Sequence, residues 1–97
     1  METLKNIIIK NSTGTLSTEY LGNGVFLIYS YRTVVAFVKD NKPAVTLNAW
    51  GTTTGKHLYK IREALGVSKD ECYEYPAFLK HAENVFDEKF VKRMFLP

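Results

Sequence analysis

Ala44-Val-Thr-Leu-Asn-Ala-Trp-Gly-Thr-Thr-Thr-Gly-Lys-His57 divides the chain into two parts of different character. Its first six or seven residues alternate apolar and polar positions as a strand does. The remainder, rich in Gly and Thr, reads as a turn that opens a helix. Strand and hairpin signals fill the chain before it, and helical spacing fills the chain after it. Strands first and helices second is the order of an α+β domain.

Upstream, Asp40-Asn-Lys-Pro43 is a compact turn, with Pro43 poorly suited to a central strand. Val34-Val-Ala-Phe-Val38 and Val25-Phe-Leu-Ile-Tyr-Ser-Tyr31 are strands rich in branched and aromatic residues. Gly22-Asn-Gly24 suits the positive φ of a tight hairpin. Thr15-Leu-Ser-Thr-Glu-Tyr20 is a weaker strand, and beyond the Asn11-Ser-Thr-Gly14 turn Leu4-Lys-Asn-Ile-Ile-Ile9 is a first one. Short turns join antiparallel neighbours, because parallel strands need long crossovers. The expected sheet is therefore a four- or five-stranded antiparallel meander over about residues 4–50.

Downstream, a helix begins near Thr53 or Thr54, either of which can cap its first amides. Leu58, Ile61, Ala64 and Leu65 form its apolar stripe, and Gly66 is the expected left-handed stop. Ser68-Lys-Asp-Glu71 matches a capping box that begins a short helical turn, which Pro76 interrupts or restarts. From Ala77 the set Leu79, Ala82, Phe86, Phe90 and Met94 keeps helical spacing, flanked by Phe78, Val85 and Val91. Asp87 caps a separate last helix, or one helix runs through it. Two or three C-terminal helices are expected to pack on one face of the sheet, covering Ile8, Phe26, Ile28, Val35 and Phe37.

Ninety-seven residues, 45% of them hydrophobic, make a single domain spanning residues 1–97, with a core of its own. No apolar run approaches a membrane span and no targeting segment is apparent, so a cytoplasmic protein is expected. The single cysteine, Cys72, agrees, since one thiol cannot staple a secreted fold. Residues 1–62 carry eight basic and three acidic side chains, against five and seven in residues 63–97. A basic strand half can steer an acidic partner, or it is an ordinary solvated surface.

Gly51-Thr-Thr-Thr-Gly-Lys-His57 superficially resembles a phosphate-cradling P-loop. That loop needs four residues between its glycines and a Ser or Thr after the Lys to hold Mg²⁺. Here there are three, and His57 stands where the hydroxyl belongs, so nucleotide hydrolysis is not expected. A helix start still exposes unpaired amides and a positive dipole end. The Thr hydroxyls, Lys56 and His57 can hold an anion there, or the threonines only cap the helix and Lys56 is solvated.

A catalytic centre is hard to assemble. Cys72 with His57 or His81 matches no known spacing, and the simpler reading is a small core thiol and two histidines on helix faces. Asp70, Glu71 and Glu74 flank a cap and read as helix-start acids. No metal or cofactor is expected. Tyr29, Tyr31, Arg32, Lys39, Lys42 and Trp50 place aromatic and basic groups on neighbouring strands, a composition able to stack bases and track phosphate, though no RNA-recognition signature accompanies it. These aromatics otherwise read as core and rim packing. The outermost strand offers an edge for a partner strand.

Tyr29-Ser-Tyr31, Thr33, Val35-Ala36, Thr53-Thr54 and Lys56-His57 also carry a resemblance. They resemble a family of small uncharacterised bacteriophage proteins, in which a Tyr-Ser-Tyr-x-Thr-x-Val-Ala strand precedes a short hairpin and a Thr-Thr-x-Lys-His helix start. Gly55 departs from the Ser expected in that pattern. The resemblance covers about residues 22–62 and leaves the C-terminal helices unmatched. It implies a phage gene product acting in the host bacterial cytoplasm, and by analogy with small phage accessory proteins a non-enzymatic one. The leading expectation is a protein that inhibits or redirects a host protein or protein–nucleic-acid complex, as anti-CRISPR-like inhibitors of defence do. The alternative is a small nucleic-acid-binding module using the basic sheet half and the Thr54–His57 helix start. Binding residues on either reading are Thr53, Thr54, Lys56, His57, Tyr31, Arg32 and Lys60.

Overall fold

Near-continuous apolar runs in the two middle strands decide the architecture. The computed structural model describes residues 15–96. Strands β1 (Leu16–Gly22), β2 (Val25–Ser30), β3 (Thr33–Lys39) and β4 (Lys42–Val45) form one antiparallel sheet in sequence order. Helices α1 (Thr52–Leu65), α2 (Tyr75–Val85) and α3 (Glu88–Met94) come next, with a 3₁₀ turn at Lys69–Glu71. The fold is α+β, a four-stranded antiparallel sheet followed by three helices, as expected. The expected strand at residues 4–9 and Ile8 lie outside the described residues.

The helices cover both faces of the sheet, not one. Leu16, Ile28, Val35, Ala36 and Val45 pack against Leu58 and Ile61 of α1. Leu27, Val34, Phe37 and Ala44 pack against Phe78, Ala82, Val91 and Phe95 on the opposite side. Covering only one face would leave the second set wet, forfeiting about 1.5–3 kcal/mol for each large side chain. A bulge sets the odd spacing of that set: Ile28 pairs with Ala36 but Tyr29 with Val34, so Val35 is the extra residue. Val34 and Phe37 therefore share a face although three positions apart.

The chain changes faces around the edge of β4. Leu47 N–H donates to the Tyr73 carbonyl at 2.6 Å, and Tyr73 N–H donates to the Val45 carbonyl at 3.0 Å. Cys72 packs with the α1 layer and Tyr73 with the α2–α3 layer. The chain's own crossing segment thus pairs with the C-terminal end of the outer strand, at Val45 and the residues just beyond it.

Several boundaries differ from the expectation. The fourth strand ends at Val45 instead of running to Trp50, because the Asn48 side chain organises a local turn in its place. Lys42 and Pro43 lie inside it, and an outer strand tolerates the missing amide of Pro43. Asp40 and Asn41 alone make the β3–β4 turn, both at positive φ as a two-residue hairpin of this hand requires. Gly66, at φ 68, ends α1 with its amide on the Arg62 and Glu63 carbonyls, and the capping box at Ser68 forms. Asp87 caps a separate α3, its side chain accepting from Phe90 N–H at 2.7 Å. That break shifts the buried stripe to Phe78, Ala82, Val91 and Phe95, while Leu79, Phe86, Phe90 and Met94 lie partly buried around it.

Candidate functional site

The site is built where the β2–β3 turn meets the start of α1. Asn48 prepares that start: its Oδ1 accepts from Trp50 N–H at 2.9 Å and its Nδ2 donates to the Gly51 carbonyl at 3.2 Å. Gly51 is the residue that precedes the helix, and no side chain caps it. The expected Thr53 or Thr54 cap is therefore corrected; both lie within the first turn, one residue or two after Thr52. Gly55 in place of the expected Ser has a steric reason as well. A Cβ there would stand 3.1 Å from Asn48 Nδ2.

Thr54 and His57 are one turn apart, so they share a helix face, and that face points into the protein. Ser30 Oγ lies 2.7 Å from His57 Nδ1 and 3.0 Å from Thr54 Oγ1, and Thr15 Oγ1 lies 3.2 Å from His57 Nε2. Ser30 is 2% exposed and His57 6%. Burial, reinforced by the Lys60 charge, pushes the His57 pKa below its ordinary value, so the ring is neutral at physiological pH. Tyr29-Ser-Tyr31 and Thr53–His57, far apart in the chain, thus meet through a buried hydroxyl–imidazole network. Thr54 and His57 are consumed by it and do not face a ligand; this corrects their expected place in an outward anion site.

The other side of α1 and the turn beside it face outward. Thr53, Lys56 and Lys60 are exposed, as are Tyr31 and Arg32. Tyr31 is 54% exposed, with its ring 5.8 Å from that of His57. It also holds φ 57, a left-handed conformation that a bulky side chain rarely adopts. Lys56, Tyr59, Lys60 and Glu63 line one open groove along α1 with Thr52 and Gly55. Tyr59 is 56% exposed, and its hydroxyl donates to the Glu63 carboxylate at 3.0 Å, which raises its pKa. Lys56, Lys60 and Arg32 make no ion pair with any described carboxylate.

The stacking surface expected on the sheet is not assembled. Tyr29 packs under α2–α3, and its hydroxyl donates to Glu19 at 2.7 Å. Lys39 donates to the Val85 carbonyl at 3.0 Å and lies over the Phe86 ring. Lys42 lies at the β3–β4 end of the sheet, opposite the Tyr31–Arg32 turn. Trp50 and Tyr75 form a T-shaped pair, 4.9 Å between centroids. Both sheet faces are already covered by helices, so no flat platform is left for bases among the described residues.

The remaining chemistry-bearing residues are dispersed. Cys72 Sγ donates to the Ser68 carbonyl at 3.5 Å, and burial raises its pKa, the opposite of an activated thiol. His81 stacks between Tyr73 and Phe37 in the other layer. Glu71 accepts from the amide and hydroxyl of Ser68, which lowers its pKa. Among the described residues, no three His, Cys, Asp or Glu side chains gather to hold a metal ion, and no helix is long and apolar enough to cross a membrane.

Sequence reasoning missed Ser30 and Tyr59. Ser30 follows Phe26 and Ile28 on the inward parity of β2, and a hydroxyl at such a position must find a partner. Tyr59 falls on the polar side of the α1 stripe, where an aromatic has no core to fill.

No curated protein and no solved structure matches the chain. Residues 1–75, a span holding all four strands, α1 and the Ser30–His57 contact, match a family of unknown function, DUF8033, and the chain belongs to that family.

Proposed function

We propose that this is a phage-encoded, non-enzymatic binding protein that acts in the host bacterial cytoplasm and blocks or redirects a host protein, in the manner of an anti-CRISPR-like inhibitor of defence. The observation that carries the reading is a contrast between neighbours. Ser30 and His57, a nucleophile–base pair by residue type, are sealed inside the fold, whereas Tyr31 beside them is exposed. A catalytic serine needs a free approach for the reacting atom, and here the hydroxyl is held by both His57 and Thr54. Tyr31 and Arg32, exposed on the β2–β3 turn, and Lys56, Tyr59 and Lys60, exposed along α1, have the composition of a protein-binding hot spot. The phage context is supported by the Tyr-Ser-Tyr and Thr-Thr-x-Lys-His segments.

The test is affinity capture of the full chain from a bacterial lysate, with and without nuclease, beside a Tyr31→Ala/Tyr59→Ala variant. A discrete protein that survives nuclease and is lost with the variant supports docking through this surface. Recovery of nothing, or only of material released by nuclease, overturns it. The nucleic-acid alternative keeps Tyr31, Arg32 and the helix-start cations, since Tyr29, Lys39 and Trp50 are engaged elsewhere and Lys42 lies at the other end of the sheet. Steep log–log weakening with salt would favour it.

A further inference from the structure

We infer that the partner surface received by α1 is acidic, a protein patch carrying carboxylates; this rests on the docking reading above and specifies its chemistry. Lys56 and Lys60 stand one turn apart on the exposed side of α1, a like-charge pair that disfavours the helix. No acid in the first turn offsets them. Glu63, the carboxylate sharing their groove, is engaged by the Tyr59 hydroxyl. Arg32 is exposed on the adjoining turn and pairs with no described carboxylate. Among the described residues, Lys56, Lys60 and Arg32 thus stand without ion-pair partners, the two lysines in one groove with the exposed Tyr59 and Arg32 on the turn that carries the exposed Tyr31. A sequence that accepts a local electrostatic cost without a gain inside the fold places the gain in a complex.

The geometry favours carboxylates over a nucleic-acid strand. A phosphate backbone calls for a continuous basic track, and this groove holds two lysines and then a carboxylate, Glu63, less than one turn beyond Lys60. Two discrete cations in a groove with a tyrosine suit separate carboxylates on a protein face, where complementary charge sets orientation and association rate.

The experiment titrates the isotope-labelled full chain at low salt with a Glu-rich peptide, the matching Gln-rich peptide and an oligo(dT) strand. Amide shifts are followed by NMR. The Glu-rich peptide is expected to move Tyr31, Thr52, Lys56, Tyr59 and Lys60. Lys56→Glu/Lys60→Glu should weaken it about tenfold, a change of about 1.4 kcal/mol. Equal binding of the Gln-rich peptide, shifts elsewhere or none, or tighter binding of oligo(dT) on the same residues overturns the inference. If the peptide result fails while Tyr31→Ala/Tyr59→Ala still loses the captured protein, docking stands and the acidic chemistry falls. If capture fails, docking falls whatever the peptide does.

Discussion

Ser30 and His57 are 27 residues apart in the chain and 2.7 Å apart in space, and their contact ties β2 to α1. Each ring nitrogen faces a hydroxyl, Ser30 on one side and Thr15 on the other, so a neutral imidazole is satisfied without leaving a buried polar atom unpaired. Removing Ser30 takes the partner of Nδ1 away, and removing His57 leaves Ser30 with Thr54 alone. Ser30→Ala and His57→Ala are each expected to cost about 1–3 kcal/mol in urea denaturation. A double-mutant cycle should return a coupling of about 0.5–3 kcal/mol, and strictly additive losses would show that the contact contributes nothing.

The same ring makes stability depend on pH. His57 titrates below its ordinary value of 6.5 in the folded protein and near it when unfolded. As pH falls through the unfolded value, the unfolded chain takes up a proton that the folded chain refuses, so unfolding becomes easier. The contribution is complete above about 6.5 and is lost progressively down to the folded pKa. Thermal midpoints should therefore drop between neutral and mildly acidic pH, and His57→Gln should flatten that drop. Lys60→Gln should raise the ring's pKa, read from its NMR titration, because a repelling cation is gone.

Much of this arrangement is legible in the sequence. The four hairpin strands, Gly66 as the stop of α1 and the Ser68 capping box all follow from local chemistry. The placement of helices on both faces was also encoded, in the unbroken apolar run of residues 34–38, which a half-wet strand would not carry. It goes unread when each strand is assumed to alternate, and the Val35 bulge hides the parity further. The candidate residues split for a related reason. Spacing puts Thr54 and His57 on one side of α1 and Lys56 and Lys60 on another, but only the inward parity of Ser30 says which side meets the sheet.

The break between α2 and α3 rests on one carboxylate. Asp87 accepts the Phe90 amide, and the next turn positions Val91 and Phe95 against Phe37 and Phe78. Asp87→Ala is expected to cost about 0.5–2 kcal/mol. Chemical denaturation measures it, and Asp87→Ser should recover most of the loss because a hydroxyl can take the same amide.

Tyr31 pays locally for its exposure. At φ 57 a tyrosine sits where Asn or Gly is at ease, at a penalty of roughly 1–2 kcal/mol. Tyr31→Asn should raise stability by about 1 kcal/mol in urea denaturation, less whatever the ring gains against His57. The same variant should weaken capture of the partner. A variant that is both less stable and fully competent in capture would mean the aromatic serves packing alone.

Lys56 offers the sharper separation of stability from docking. Replacing it with Glu puts a carboxylate four residues ahead of Lys60, the favourable order for a helical ion pair, and removes the like-charge repulsion. Each change is worth about 0.2–0.5 kcal/mol, so Lys56→Glu should stabilise the isolated chain by up to about 1 kcal/mol. Its side chain is exposed and pairs with no described carboxylate, so nothing in the described fold opposes the gain. A variant that is more stable yet no longer captures its partner cannot have lost binding through misfolding. Destabilisation by Lys56→Glu would instead show that the lysine supports the fold, and the argument from its unpaired charge would fail with it.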